Sequence, residues 1–237
     1  MVMVTSTDVE KPLVHQFPFP HAVVDGAFSL DMVRWAASAW PTEGWPGWGA
    51  LYDSALERKR TCEVWQFMPR EVSALLARML LLPVPSWLGL GPAVPDTSLY
   101  GAGMHHMSPG GQLGVHLDHD TSPRLNLARR CNAILFLSEW QPGDGGELEL
   151  YRGTWEQPEG EPCLVEPVQG RLVVFRACTV PTWHGVRTIT GKRSRKSLAV
   201  YWYAEPTGQE CNRWRALFAP RPGHQETEEE RLARVSR

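Results

Sequence analysis

The chain has 237 residues, a formal net charge of −2 and 43% hydrophobic residues. This length fits one domain with extensions, and the apolar share is large enough for a sizeable core, which excludes global disorder. The near-neutral charge gives no sign of a nucleic-acid partner, which normally shows as a basic excess or patch. No apolar stretch has the length of a signal peptide or a membrane span, so we expect no membrane association.

The cysteines indicate the compartment. Their number is odd, their spacing is wide, and they contain no Cys-x-x-Cys pair, which excludes a disulfide framework and a zinc ribbon. They are Cys62, Cys131, Cys163, Cys178 and Cys211. The sequence therefore predicts a reducing, cytoplasmic environment.

The N-terminal part, residues 1–96, is predicted to consist of helices and loops packed on a later domain core. A short strand over residues 22–25 precedes a helix that Ser29 can cap and that runs to about Ala39. Gly, Pro and Trp predict a loop over residues 41–60. Pro69 suits the first turn of a second helix over residues 70–82, and residues 83–95, rich in Pro and Gly, read as a linker or short turns.

From residue 97 to residue 206 the pattern changes to a mainly β core. Short apolar runs alternate with turn residues, and many short strands at fairly even spacing indicate a sandwich or a barrel. The predicted strands cover residues 99–107, 113–118, 131–137, 147–151, 172–176, 183–188 and 197–203. Residues 207–237 form a charged C-terminal extension, read from residue 225 onward as a solvated helix or a frayed tail. We expect a single mainly β domain with N-terminal helices.

Three polar residues of this core have the pattern of a metal site. His116 and Asp118 are two positions apart on a predicted strand, so their side chains project from the same face. His184 begins a later strand. Two histidines and one carboxylate are the facial ligand set of non-haem Fe(II), which leaves open positions for chemistry. His119 and Asp120 offer an alternative pair, although adjacent residues point to opposite faces.

A candidate anion anchor follows the third of these residues. Arg195 and Ser197 share one face of the strand that they begin, and an arginine fork with a hydroxyl suits a carboxylate. Arg193, in the preceding turn, is the second choice. His105 and His106 are two further candidates for contacts in the pocket. Because they are neighbours on a strand, one can face the pocket while the other points away.

Four stretches of the predicted core follow one another in a distinctive order. They are residues 99–111 with Val115-His116-Leu117-Asp118, residues 132–140 with Gly145-Gly146-Glu147-Leu148-Glu149-Leu150-Tyr151, residues 170–175, and Trp183-His184-Gly185-Val186. Together they resemble the prolyl-4-hydroxylase-like branch of the 2-oxoglutarate/Fe(II) oxygenases, in its small bacterial form, and the resemblance covers residues 99–203. One departure stands out, because collagen- and transcription-factor-type members often have a tyrosine shortly before the first ligand, where this chain has His105-His106-Met107.

The resemblance implies a double-stranded β-helix, which is a jelly-roll barrel. It implies that His116, Asp118 and His184 bind Fe(II) and carry catalysis. It also implies that Arg195, with Ser197, anchors the co-substrate 2-oxoglutarate. We expect the pocket residues His105, Leu148 and Val186 to contact the co-substrate as well.

The implied activity consumes O₂ and couples decarboxylation of 2-oxoglutarate to succinate with hydroxylation of an unactivated C–H bond. The substrate is a small molecule or a protein or peptide side chain, prolyl included. Because halogenases of this superfamily lack the carboxylate ligand, Asp118 favours hydroxylation.

Two other functions compete with this one. A non-catalytic module on the same barrel would use the pocket to hold a ligand or partner, and a zinc hydrolase would leave Arg195 and Ser197 without a role. Substrate contacts are expected from a lid formed by residues 45–52, although its aromatic side chains could instead pack the N-terminal helices. The expected pocket walls are Tyr100, Phe136, Leu148 and Val186.

Overall fold

The computed structural model describes residues 10–208, 210 and 213–236. Its strands are β1 His21–Val24, β2 Ala50–Asp53, β3 Glu57–Cys62, β4 Val94–Pro95, β5 Gly103–Met107, β6 Gln112–Leu117, β7 Ala128–Phe136, β8 Leu148–Gly153, β9 Pro158–Val165, β10 Leu172–Arg176, β11 Trp183–Val186, β12 Arg195–Ala204 and β13 Leu217–Phe218. The α-helices are α1 Leu30–Ser38, α2 Arg70–Met79, α3 Val84–Trp87 and α4 Glu228–Val235.

The first helix begins where the sequence predicts it. The Ser29 hydroxyl accepts a hydrogen bond from the backbone N–H of Met32, which satisfies one of the free donors at the start of α1. Val33 and Ala36 form its buried face. The second helix follows Pro69 and buries an apolar stripe against the same core; this stripe is Val72, Leu75, Leu76 and Met79. Both predicted helices are confirmed, the second ending slightly earlier than expected.

The strands form one antiparallel sheet that curls into a barrel. Its hydrogen-bonded order is β1-β10-β7-β12-β5-β3-β6-β11-β8-β9, while β2 pairs with β3, β4 with β12 and β13 with β6. This is the predicted double-stranded β-helix with helices at its N-terminal side. The largest apolar cluster lies between the helices and the β7, β10 and β12 part of the sheet. The opposite face of β7 and β12 lines a cavity.

Several connections that the sequence analysis treats as loops are ordered elements, so these expectations are wrong. Residues 41–60 contain strand β2 and the start of β3, and β3 continues to Cys62. The pattern Glu-Arg-Lys-Arg-Thr-Cys conceals strand β3 because its inward side chains line a polar cavity instead of an apolar core. Residues 83–95 contain α3 and β4, and Trp87 of α3 is buried. Strand β9, whose proline and glutamates mask its period, has no counterpart among the predicted strands.

The described cysteines fit the expectation that the chain has no disulfide framework. Cys62, Cys131, Cys163 and Cys178 carry free thiols, while Cys211 lies outside the described residues. Among the residues that the structure describes, no helix is both long and apolar enough to cross a membrane.

Candidate active site

Three side chains meet on the wall of the cavity. His116 lies near the end of β6, Asp118 follows that strand directly, and His184 lies on β11. Strands β6 and β11 are neighbours, and His184 is the register partner of His116. One ligand atom from each residue lies within 4.8 Å of the others, a group that could hold a metal ion. The Asp118 carboxylate is 3.7 Å from Nε2 of His116 and 3.7 Å from Nε2 of His184.

Backbone carbonyls fix the tautomer of both histidines. Nδ1 of His116 is 2.9 Å from the carbonyl oxygen of Gly114, and Nδ1 of His184 is 2.8 Å from that of Thr182. A carbonyl oxygen only accepts, so each Nδ1 donates a proton and each Nε2 keeps its lone pair. Both lone pairs are therefore available to a cation, and second partners of this kind are what orient metal-binding imidazoles.

Two further side chains hold the Asp118 carboxylate in place. Arg129 donates to Oδ2 of Asp118 at 2.8 Å, and Asn132 donates to the same oxygen at 2.7 Å. Burial alone would raise the pKa of the Asp118 carboxyl, but Arg129 and then the histidines outweigh it and hold this pKa well below its usual value. Burial, helped by His116, lowers the pKa of His184 to about 4. A carboxylate beside a neutral imidazole is the protonation state that metal binding requires.

The cavity around these residues has a volume of about 480 Å³. Eight residues that the sequence predicts as ligands or pocket contacts line it: His105, His116, Asp118, Leu148, His184, Val186, Arg195 and Ser197. The expected wall residue Phe136 does not line it, because the Arg195 guanidinium lies over its ring. The structure therefore brings side chains from β5, β6, β8, β11 and β12, distant in sequence, to one site.

Arg195 supplies a buried cation on the cavity wall. Its side chain is 5% exposed; Nε donates to the carbonyl oxygen of Gly146 at 3.0 Å and Nη1 to Oγ of Ser197 at 3.1 Å. Burial lowers its pKa to about 10, so the group stays charged at neutral pH. Within the described part of the chain no carboxylate forms an ion pair with it, and a buried unpaired charge is costly. An anionic ligand in the cavity would offset that cost, and a dicarboxylate co-substrate fits this requirement.

Comparison with known proteins gives the family. Residues 102–204 match the model described as the 2OG-Fe(II) oxygenase superfamily. A Pseudomonas putida prolyl-4-hydroxylase matches in structure with a TM-score of 0.58 and 25% identity, over 78% of this chain and 92% of that one. Residues 102–204 therefore form a domain of the 2-oxoglutarate/Fe(II)-dependent oxygenase superfamily. This oxygenase domain resembles the prolyl-4-hydroxylase branch in structure and uses Fe(II) and 2-oxoglutarate.

Other solved structures share its fold. A Trichoplax adhaerens prolyl hydroxylase in complex with a hypoxia inducible factor peptide matches at 15% identity and a TM-score of 0.55, over 77% of this chain and 83% of that one. The carbocyclase SnoK from nogalamycin biosynthesis matches at 16% identity and a TM-score of 0.50, over 90% of this chain and 85% of that one. A comparison of the oxygenase with curated proteins finds no match.

The structure separates the alternatives that the sequence left open. Of the two adjacent pairs, His116 and Asp118 lie beside His184, whereas His119 bonds to Nη2 of Arg129 at 2.6 Å and the buried Asp120 accepts from the backbone of Arg213. The second candidate anchor, Arg193, is surface-exposed and pairs with Asp144 at 2.9 Å.

The two neighbouring histidines of β5 point to different places in the oxygenase. His105 lines the cavity, and burial lowers its pKa to about 3. Nδ1 of His106 accepts a hydrogen bond from the indole of Trp40 at 3.3 Å, on the opposite face of the strand. His105 is therefore the one that can reach a ligand in the cavity.

The loop expected to form a lid mostly packs elsewhere. Trp48 contacts the rings of Trp40 and His106, with centroid distances of 6.4 and 5.5 Å, and Trp45 packs edge-on against Trp48. Tyr52 is the aromatic residue of this segment that lines the cavity, together with the predicted wall residue Tyr100. Phe136 lies beneath the Arg195 guanidinium, 4.8 Å from ring centroid to carbon.

Sequence reasoning missed several cavity residues of the oxygenase. Glu57 and Lys59 form a largely buried ion pair at 2.9 Å on its wall, and Trp214 and Phe218 line it from the C-terminal extension. Arg129 is also missed. Two signals were available: Glu57 and Lys59 are two positions apart, as on one face of a strand, and Arg129 stands two residues before the predicted apolar strand 131–137.

Proposed function

We propose that this oxygenase is a hydroxylase in which His116, Asp118 and His184 bind the iron and Arg195 anchors 2-oxoglutarate. Fe(II), 2-oxoglutarate and O₂ together supply the oxidising power that hydroxylates an unactivated C–H bond while 2-oxoglutarate becomes succinate and CO₂. The observation that supports this proposal most strongly is that one cavity holds the two-histidine, one-carboxylate group and a buried arginine that no carboxylate among the described residues neutralises.

The protein's own contribution is orientation. The carbonyl oxygens of Gly114 and Thr182 hold both imidazoles with Nε2 toward the cavity. Arg129 keeps Asp118 ionised through its contact with Oδ2. Because three protein ligands leave positions open, the co-substrate and O₂ can reach the iron, and the presence of Asp118 favours hydroxylation over halogenation.

The co-substrate is proposed to lie with its far carboxylate on Arg195. The Ser197 hydroxyl accepts from Nη1 of Arg195, so its own proton stays available for the same carboxylate. Leu148 and Val186 would cover the methylene carbons, and His105 would contribute a further contact from the neighbouring strand.

The substrate is proposed to enter past Tyr52, Tyr100 and Trp214, which line the cavity beyond the co-substrate anchor. Two classes are candidates: a peptidyl side chain, prolyl included, as in the name of the Pseudomonas putida relative, and a small molecule, as in the biosynthetic origin of SnoK.

We also propose a catalytic core over residues 97–206 with flanking regions packed on it. The free thiols support a cytoplasmic location.

The assignment of the anchor is tested by a matched pair of variants. Arg195→Met removes the buried cation, whereas Arg193→Met removes a surface cation that pairs with Asp144. Losing one charged hydrogen-bonding partner costs about 1.5–3 kcal/mol, so we expect the KM for 2-oxoglutarate to rise by roughly ten- to a hundredfold in Arg195→Met. The Arg193 variant should retain the normal KM. Equal values in the two variants would contradict the anchor.

Substrate class is tested by measuring succinate release with amino acids, proline-containing peptides and cell extract as substrates. Stimulation by one class above the substrate-free rate identifies it. Iron and 2-oxoglutarate binding without succinate release in any mixture would favour the alternative, a non-catalytic binding module on the same barrel.

A further inference from the structure

The metal-ligand strand has an additional neighbour from outside the matched family region. That match ends at residue 204, yet residues 213–221, here called the C-terminal strap, run antiparallel beside β6. Within it β13 pairs Leu217 with Leu117 and Phe218 with His116, and the N–H of Ala219 donates to the carbonyl oxygen of Val115 at 2.9 Å. The strap therefore follows β6 along the stretch that carries the first proposed ligand.

The strap also touches that ligand directly. The ring of Phe218 stacks on the imidazole of His116, with centroids 5.2 Å apart and planes inclined by 28°. The backbone of Arg213, at the other end of the strap, exchanges hydrogen bonds with Asp120, two residues beyond Asp118. The strap therefore holds the His116–Asp118 segment near both of its ends.

Arg221, the last residue of the strap, joins the two ligand strands to each other. Its Nη2 donates to the carbonyl oxygen of Leu113 on β6 at 3.3 Å and to that of Val186 on β11 at 3.2 Å. Its Nε donates to Oε2 of Glu149 at 2.9 Å. Glu149 is 2% exposed and accepts a second hydrogen bond from the hydroxyl of Tyr151 at 3.0 Å. The guanidinium is therefore itself held in one orientation.

The place where Arg221 binds is a weak point of the sheet. The pairing of β6 and β11 shifts register between His184 and Val186, and such irregularities leave ladder groups unpaired. Leu113 and Val186 are register partners at this point. One arginine nitrogen, Nη2, donates to a carbonyl of each strand where the ladder is interrupted, next to the residue pair His116 and His184.

We infer that Arg221, held by Glu149, is a positioning residue of the metal centre: it fixes the spacing of the strands that carry His116 and His184. This inference rests on the proposed function, in which those histidines bind the iron. Arg221 reaches the metal site only through the two strands. Its loss should therefore change the metal affinity of folded protein more than it changes the fold.

The test compares Arg221→Met with Arg187→Met. Arg187 contacts the same carboxylate, with Nε 3.5 Å from Oε1 of Glu149, and its side chain is largely exposed. Co(II), which resists oxidation, is titrated into each metal-free protein, and binding is followed by its visible absorption. Circular dichroism measures the folded fraction at the same temperature. Outer partners of metal ligands typically change affinity by about 10–100-fold, so we expect at least about tenfold weaker Co(II) binding in Arg221→Met and wild-type affinity in Arg187→Met.

Equal Co(II) affinities for the folded fractions of the two variants would overturn the inference. If Arg221→Met does not fold, Arg221→Lys replaces it, because a lysine keeps the charge but has a single nitrogen in place of the separate Nε and Nη2 that bond Glu149 and the two carbonyls. Weaker binding by folded Arg221→Lys supports the inference, and unchanged binding overturns it. His184→Ala in the same titration tests the underlying metal assignment separately, since undiminished Co(II) binding there would contradict the proposed function whatever Arg221 does.

Discussion

Removing the carboxylate of the proposed metal site should destabilise the metal-free protein. Asp118 is the ion-pair partner of Arg129, whose side chain is 1% exposed, at 2.8 Å. In Asp118→Ala the guanidinium keeps its contacts to His119 and Asn132 but has no described anionic partner left. Breaking a buried ion pair from one side costs about 3–5 kcal/mol. The Asp118 side chain is 14% exposed, so we expect the lower end, about 3 kcal/mol.

Thermal unfolding of metal-free protein measures this loss. For a chain of this size about 1 kcal/mol corresponds to roughly 2–4 °C, so Tm should fall by about 6–12 °C. Asp25→Ala is the matched control, because Asp25 is 68% exposed in its pair with Arg171 and such pairs contribute less than about 1 kcal/mol. The double variant Asp118→Ala/Arg129→Met should recover part of the loss, since the unpaired charge is gone. Equal Tm values for Asp118→Ala and Asp25→Ala would refute the reasoning.

Three further predictions concern packing, pH and metal. Gly185→Ala should destabilise the protein by about 1–3 kcal/mol and weaken Co(II) binding, because a Cβ there would lie 3.0 Å from the carbonyl oxygen of Leu113. The control is Gly44→Ala, since a Cβ at Gly44 would have nothing within 4 Å. Equal urea midpoints for the two variants would contradict this prediction. Burial lowers the pKa of His106 to about 4, below its unfolded value, so stability should fall as pH drops from about 6.5 toward 4. Urea unfolding across that range should show a shallower decline in His106→Gln, and an identical decline would count against a neutral buried His106. Co(II) at about a hundred times its Kd should stabilise the wild type by about 2.7 kcal/mol; a chelator should reverse the effect, and stabilisation of His184→Ala by the same amount would be inconsistent with the site.

The elements that could be predicted from the sequence are those whose pattern depends on near neighbours. The Ser29 cap and the apolar stripe of α2 need only helical spacing, and the His116–Asp118 pair needs only the alternation of a strand. His184 and Arg195 were candidates by residue type and strand position, and the family resemblance then joined them to that pair by their order in the chain. In each of these cases the burial of the residues in the fold is the one that their local sequence pattern predicts.

The elements that were missed depend on what lies far away in sequence. Strand β3 pairs with β5 and β6 and faces a polar cavity, so its Glu57 and Lys59 look like a solvated turn until the barrel is closed. The C-terminal strap has a similar explanation. In the sequence, Arg221 is simply part of a charged extension. It can bind two carbonyls only because residues 113 and 186 lie close together in the folded sheet.

The central claim is that His116, Asp118 and His184 form the iron site of a 2-oxoglutarate-dependent oxygenase. The most direct measurement is succinate formed from 2-oxoglutarate under air, with and without Fe(II), by the wild type, His184→Ala and His106→Gln. The account predicts Fe(II)-dependent succinate from the wild type and from His106→Gln, whose histidine faces away from the cavity, and none above background from His184→Ala. Undiminished succinate from the His184 variant would contradict it.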